Sequence, residues 1–165
     1  GGLPKWLSEN RIVSEKFSEG SIGNFVAKLR KDLFCDFQVV LEGLDSPNCA
    51  VLDARSERRF KGLDPEPRPG VRSGHMPNAK NLPFPEVLNG GLLKSVSELQ
   101  EIFINLSLDH QDSIITSCGS GITACILTLA ADVAGFSRLS VYDGSWAEWG
   151  LPGKLPVVSD LTNNA

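Results

Sequence analysis

The sequence predicts an α/β domain with a central parallel β-sheet and helices on both faces. Three observations carry this. Short apolar runs alternate with longer segments of helical spacing, the pattern of strand–helix–strand units. Two of the runs, Cys49–Asp53 (Cys-Ala-Val-Leu-Asp) and Ser113–Thr116 (Ser-Ile-Ile-Thr), are compact and apolar, as strands buried on both faces are. The segment Thr123–Ala134 is apolar almost all round, which suits a helix packed deep in the domain.

In chain order, Gly1-Gly2-Leu3-Pro4-Lys5-Trp6 can be set against Gly144-Ser145-Trp146-Ala147-Glu148-Trp149. Both read glycine, small, large apolar, small or proline, charged, tryptophan. Such a repeat suggests two copies of one module, of which the first contributes only its last residues; chance similarity is the competing reading. Residues 7–23 are polar, with Gly20 and Gly23, and read as a linker. Phe25–Leu29 alternates and predicts a short strand. Asp32–Leu44 carries Leu33, Phe34, Phe37, Val40, Leu41 and Leu44 at helical spacing. After the Cys49–Asp53 strand, Ala54–Gly74 is charged and broken by Pro65, Pro67 and Pro69, so it reads as a loop with one helical turn. A loop that long inside a domain is usually functional. Ala79–Leu82 is a brief strand, and Ser97–Leu106 a helix capped by Ser95 or Ser97. Leu139–Tyr142 is the last strand and Pro152–Ala165 a tail. The chain divides into residues 1–23, the end of one module plus a linker; 24–151, the domain; and 152–165, the tail.

Bulk properties narrow the function. The 165 residues amount to one domain, with 41% hydrophobic and 22% charged residues. Sixteen basic and 20 acidic residues give a net charge of −4, and no basic block offers itself to nucleic acid. No apolar run approaches the roughly 18 residues that span a bilayer, so no membrane partner is expected, and no signal peptide is visible. Cys35, Cys49, Cys118 and Cys125 form no C-x-x-C pair, and neither His75 nor His110 stands at metal spacing from them. No metal and no organic cofactor are expected. Free thiols predict a reducing compartment.

Three segments end where ligands bind in such sheets, at the carboxyl ends of the strands: Asp53-Ala54-Arg55, Ser117-Cys118 and Asp143-Gly144. In Ser113–Ala124 a strand runs into Cys118, then Gly119-Ser120-Gly121-Ile122-Thr123, then a helix. The glycines let backbone N–H groups turn inward as an anion-binding nest, and the helix N-terminus adds its dipole. A cysteine there has a lowered pKa and acts as a thiolate nucleophile. A buried core cysteine before a tight turn is the competing reading.

Cys118-Gly-Ser-Gly-Ile-Thr-Ala-Cys125, followed by an apolar helix and Tyr142-Asp-Gly-Ser-Trp-Ala-Glu-Trp149, resembles the carboxyl-terminal signature of the 3-mercaptopyruvate sulfurtransferases, within the rhodanese superfamily. Val51-Leu-Asp-Ala-Arg55, Arg59-Phe-Lys-Gly62, Glu66-Pro-Arg-Pro-Gly70 and Gly74-His-Met-Pro-Asn-Ala79 resemble it in the same order. The resemblance runs from about Phe25 to Gly150 and implies a rhodanese-like fold, the active second module of a tandem pair, and a cytoplasmic or mitochondrial enzyme. It implies Cys118 as nucleophile, Ser120 as hydrogen-bond donor or proton relay, Arg59 and Arg68 as substrate-binding arginines, and the amides of Gly119, Gly121, Ile122 and Thr123 as the anion site. Its expected partners are a small-molecule sulfur donor, a thioredoxin or small-thiol acceptor, and the preceding rhodanese module, which supplies the histidine and aspartate of the family's proton relay.

Residue chemistry agrees on the donor. Thiosulfate sulfurtransferases resemble this chain closely but carry basic residues directly after the cysteine, which suit a dianion. Gly119 and Ser120 are uncharged and suit 3-mercaptopyruvate, whose carboxylate a guanidinium fork can bind. Sulfur then passes through a Cys118 persulfide to a thiol or cyanide, releasing pyruvate. Thiosulfate transfer and a non-catalytic sulfur-binding module are the alternatives. A phosphatase would need Cys-x5-Arg, but position 124 is alanine and the loop is one residue short. Arg55 is expected to fix loop structure, Arg58 and Arg72 to be surface charges, and His75 to be structural. His110 is expected to be exposed, the Asp143-Gly144-Ser145-Trp146 stretch to shape the site wall, Trp146 and Trp149 to pack, and Cys35, Cys49 and Cys125 to lie in the core.

Overall fold

A computed structural model of the chain describes residues 2–17 and 19–160; Gly1, and with it the first position of the repeat, lies outside them, as do residues 161–165 of the tail. Helix α1 (Gly2–Ser8) opens the chain. A short 3-10 turn (Lys31–Leu33) leads into strand β1 (Phe34–Cys35). Helix α2 (Phe37–Gly43) begins where it does because the Asp36 carboxylate accepts the Gln38 and Val39 N–H groups. Strand β2 (Cys49–Asp53) and helix α3 (Glu57–Phe60) follow, then β3 (Lys80–Asn81). A small hairpin of β4 (Leu88–Asn89) and β5 (Leu92–Leu93) precedes α4 (Val96–Asn105). Ser95 closes a capping box with Glu98 at the start of α4. Strand β6 (Ser113–Ser117), helix α5 (Ala124–Ala134), strand β7 (Leu139–Tyr142) and helix α6 (Ser145–Trp149) complete the order. Gly135, at φ +104, ends α5 in the left-handed conformation glycine tolerates.

Five strands form one sheet in the order β1-β7-β6-β2-β3, every pair parallel. Alternate residues feed two cores. Ala50, Leu52 and Ile114 face α4 and α5, with Leu99, Phe103, Leu127 and Ala131. Val51 and Ile115 face α2 and α6, with Val40, Tyr142, Trp146 and Trp149. Chain direction reverses between β2, which leads outward to β3, and β6, which leads to β7. The adjacent carboxyl ends of β2 and β6, in register at Asp53 and Ser117, therefore flank the switch point where such sheets bind ligands.

Three local expectations fail for physical reasons. Phe25–Leu29 makes no strand; Phe25 and Val26 are 88% and 85% exposed, and the edge position beside β7 is filled by Phe34–Cys35. Alternation alone does not choose a partner. The Asp32–Leu44 helix is cut short, because the Asp36 cap starts it at Phe37 and leaves Phe34–Cys35 extended. Helix α5 is buried along one face only: Leu129 and Val133 are exposed, and so is Cys125, which does not lie in the core. Cys35 and Cys49 are half-buried. The C-terminal segment is fastened to the domain: His75 and Val158 exchange backbone hydrogen bonds of 2.8 and 2.9 Å, and the Trp149 indole donates to Pro156 O at 2.8 Å.

Candidate active site

Cys118 follows β6 directly, at the switch point. It is 2% exposed and its side chain belongs to the core between the sheet and α5. Burial by itself would push the thiol up, and that cost is the largest single influence on it. The Thr123 hydroxyl and the N–H groups of Ser120, Ala124 and Thr123 outweigh it together and hold the thiol below its ordinary value. The Ser120 N–H lies 3.4 Å from Cys118 Sγ. Helix α5 has no side-chain cap at Thr123, so its first amides are available to the sulfur. Cys118 is thus a buried cysteine whose hydrogen bonds to sulfur favour the anion.

The turn that makes this possible passes through Gly121 at φ +85. A Cβ there would stand 2.9 Å from Asp143 Oδ1 and 3.1 Å from Asp143 O, so glycine answers both the backbone conformation and the close approach. Asp143 is exposed and walls the loop from that side. Gly119 lies under Arg59, whose Nη2 would be 3.2 Å from a Cβ at that position. Ile122 is 75% exposed on the outside of the loop.

A cavity of about 220 Å³ opens above the loop, lined by Arg59, Glu66, Pro67, Arg68, Gly119 and Ser120 among others. Arg68 and Ser120 are exposed at its mouth. Arg59 is held from behind, donating to both oxygens of Glu66. Glu66, 4% exposed, also accepts from Arg55 Nη1 at 2.8 Å. Arg55 is buried, forks onto Asp53 at 2.6–3.1 Å, donates to Gly74 O at 2.8 Å and stacks 4.1 Å over the Trp146 ring. The chain Asp53–Arg55–Glu66–Arg59 ties the strand end to the cavity. Two arginines, one of them paired with Glu66, and two uncharged loop residues therefore face one small space beside the sulfur cradle, and Arg68 makes no ion pair among the described residues. That space suits a small anion bearing one carboxylate.

Arg55 fixes the loop as expected, and Arg58 is a surface charge paired with Asp64. Arg72 is not: it is half-buried and donates to the carbonyls of Gly150, Trp149 and Leu155, closing the C-terminal end of α6. His75 is a structural group, donating from Nδ1 to Phe60 O at 2.8 Å and stacking on the Phe60 ring at 3.9 Å. His110 is exposed and leans on Phe136. Trp146 and Trp149 are fully buried packing groups. Sequence reasoning assigns no part to the Glu66 carboxylate, and it takes Ser145 only as one residue of the wall-forming stretch, without the hydrogen bond its hydroxyl accepts from Cys118 N–H. Glu66 stood in a proline-broken stretch whose fold carries no periodicity. Ser145 takes a left-handed turn that nothing about serine announces.

A larger cavity, about 660 Å³, lies at the amino ends of β2, β6 and β7, away from this chemistry. Its cysteine is Cys49, which burial holds above its ordinary value, the wrong direction for a nucleophile. Among the described residues no group of three or more His, Cys, Asp or Glu side chains could hold a metal ion. No helix among them is long and apolar enough to cross a membrane.

Comparison with known proteins gives a consistent answer. The family model described as a rhodanese-like domain matches residues 36–151. The chain is 41% identical over 150 residues to the 3-mercaptopyruvate sulfurtransferase of Mus musculus, covering 90% of this chain and 50% of the relative. It is 38% identical over 151 residues to the thiosulfate sulfurtransferase of Cricetulus griseus, covering 90% and 51%. The crystal structure of SseA from Escherichia coli superimposes with a TM-score of 0.73 at 32% identity, over 88% of this chain and 54% of that one. The chain spans about half the length of the curated relatives it matches.

Proposed function

This chain belongs to the rhodanese-like domain family, and from that premise we propose that it transfers sulfur from 3-mercaptopyruvate to a thiol or cyanide through a persulfide on Cys118. The observation that carries the proposal is the set of donors around Cys118 Sγ, three amides and one hydroxyl, which favour negative sulfur at a buried position. The same donors serve the thiolate before transfer and the persulfide anion after it.

In the first half-reaction the Cys118 thiolate attacks the donor sulfur. The donor's C–S bond breaks and its electron pair goes to carbon, giving the enolate of pyruvate. The proton of the donor thiol goes to that carbon, leaving pyruvate and a Cys118 persulfide anion. In the second, a thiolate such as that of thioredoxin or a small thiol attacks the outer sulfur and Cys118 departs as the thiolate; cyanide attacking in its place leaves as thiocyanate. Arg59 and Arg68 bind the carboxylate, and the Ser120 hydroxyl donates to the ketone or relays the proton. The amides of Ser120, Thr123 and Ala124 serve the anion site, and Gly119, Gly121 and Ile122 belong to the loop that carries them.

Relatives bear both donor names, so the choice between donors rests on Gly119 and Ser120. Two uncharged residues after the nucleophile favour the mono-carboxylate over the thiosulfate dianion. Residues 1–23 are read as the end of a preceding rhodanese module and a linker, 24–151 as the catalytic domain and 152–165 as its tail. The helical form of α1, at the residues that echo α6, supports the first assignment. Four free cysteines fit a reducing compartment, cytoplasmic or mitochondrial.

Intact mass spectrometry after exposure to 3-mercaptopyruvate and, separately, to thiosulfate tests the reading. The expected result is a gain of one sulfur, mapped to Cys118, with 3-mercaptopyruvate the better donor, and no gain in Cys118→Ser. Equal loading by both donors removes the donor assignment; loading elsewhere than Cys118 removes the mechanism.

A further inference from the structure

Both backbone polar groups of Cys118 go to one turn, the one joining β7 to α6. Ser145 sits in that turn at φ +49 and is fully buried. Its hydroxyl donates to Tyr142 O at 2.9 Å and accepts the Cys118 N–H at 3.1 Å. The next two amides complete the grip: Trp146 N–H donates to Cys118 O at 2.9 Å and Ala147 N–H to Gly119 O at 3.0 Å. The platform behind them is rigid, with Trp146 and Trp149 fully buried and the Tyr142 hydroxyl donating to Glu148 at 2.6 Å.

A left-handed residue is easiest as glycine, and serine pays there in backbone strain. The turn alone therefore does not explain serine; the hydroxyl between Tyr142 O and the Cys118 amide does. We propose that Ser145 is a positioning residue for sulfur transfer, its hydroxyl fixing the Cys118 peptide so that the sulfur stays at the focus of the Ser120, Thr123 and Ala124 amides. This rests on the reading of Cys118 as the nucleophile. Without the hydroxyl, the Cys118 N–H loses its partner, the loop shifts, and the thiol drifts out of its cradle.

Two substitutions in the whole chain separate positioning from mere turn structure. Ser145→Gly relieves the backbone and deletes the hydroxyl. Ser145→Thr keeps the hydroxyl on a backbone that a β-branched residue strains further. Positioning predicts that Ser145→Gly keeps wild-type thermal stability, loses roughly ten- to a hundredfold in kcat with KM for 3-mercaptopyruvate little changed, and has a raised Cys118 thiol pKa. It predicts that Ser145→Thr is less stable but retains the low thiol pKa and most of its kcat. The thiol is titrated by far-ultraviolet thiolate absorbance against the matching Cys118→Ser protein. Activity that tracks stability, with Ser145→Gly at wild-type kcat and thiol pKa, overturns the proposal. If Ser145→Gly does not fold, Ser145→Ala deletes the hydroxyl without changing the turn and is read the same way. Should no protein turn over 3-mercaptopyruvate, the function reading fails, while the titrations still decide whether Ser145 positions the thiol.

Discussion

Replacing Arg55 with alanine removes the one cation that two buried carboxylates share. The side chains of Arg55, Asp53 and Glu66 are 1%, 3% and 4% exposed, so water compensates none of them. Glu66 keeps Arg59, but Asp53 loses every side-chain partner that Arg55 supplies. Breaking a buried pair by deleting one partner costs about 3–5 kcal/mol. Loss of the 4.1 Å stack on Trp146 acts in the same direction without adding in full. We expect a loss of about 4 kcal/mol, a large share of the roughly 5–15 kcal/mol that holds a domain together. With a urea slope of about 2 kcal/mol per molar, the unfolding midpoint falls by about 2 M. Arg58→Ala is the matched control: its side chain is 65% exposed and its bridge to Asp64 is screened by water, so its loss should leave stability nearly unchanged. If Arg55→Ala unfolds within about 1 kcal/mol of the wild type, or no earlier than Arg58→Ala, the buried network does not hold the loop as argued.

Gly121→Ala meets both a left-handed φ and the Asp143 backbone; it should cost about 1–3 kcal/mol in thermal unfolding and slow persulfide formation beyond what stability explains. Ser95→Ala opens the capping box of α4 and should cost about 1 kcal/mol, read as a fall of about 3 °C in melting temperature with turnover intact. The rate of persulfide formation should depend on pH with a definite sign. The reactive form is the thiolate and the Cys118 pKa is lowered, so activity is present above that pKa and is lost as pH falls through it. A rising limb centred at or above the ordinary thiol value would contradict this.

The strands that carry the site were legible because burial on both faces leaves an unbroken apolar run: Cys49–Asp53 matches the sequence reading to the residue, and Ser113–Thr116 lacks only Ser117. The course of the Cys118 loop was legible because glycines between an apolar strand and an apolar helix mark a tight turn, as at Gly121 with φ +85. The edge was not. Two-residue strands such as Phe34–Cys35 are made by a neighbour's open hydrogen bonds, not by local pattern, and Phe25–Leu29 had the pattern without the neighbour. Exposure of Cys125 was hidden for a related reason, since an apolar helix declares that it packs but not which side is left open. The proline-broken loop concealed Glu66, although its arginines were visible. Its shape comes from Arg55 reaching Glu66 and Gly74, contacts 11 and 19 residues apart in the chain.

Direct titration of the Cys118 thiol, by thiolate absorbance of the wild type less that of Cys118→Ser, bears most closely on why sulfur chemistry happens at this spot. A midpoint clearly below that of an ordinary cysteine is the expected result. A midpoint at or above it would mean that burial outweighs the amides, leaving Cys118 a core residue with no special claim on sulfur.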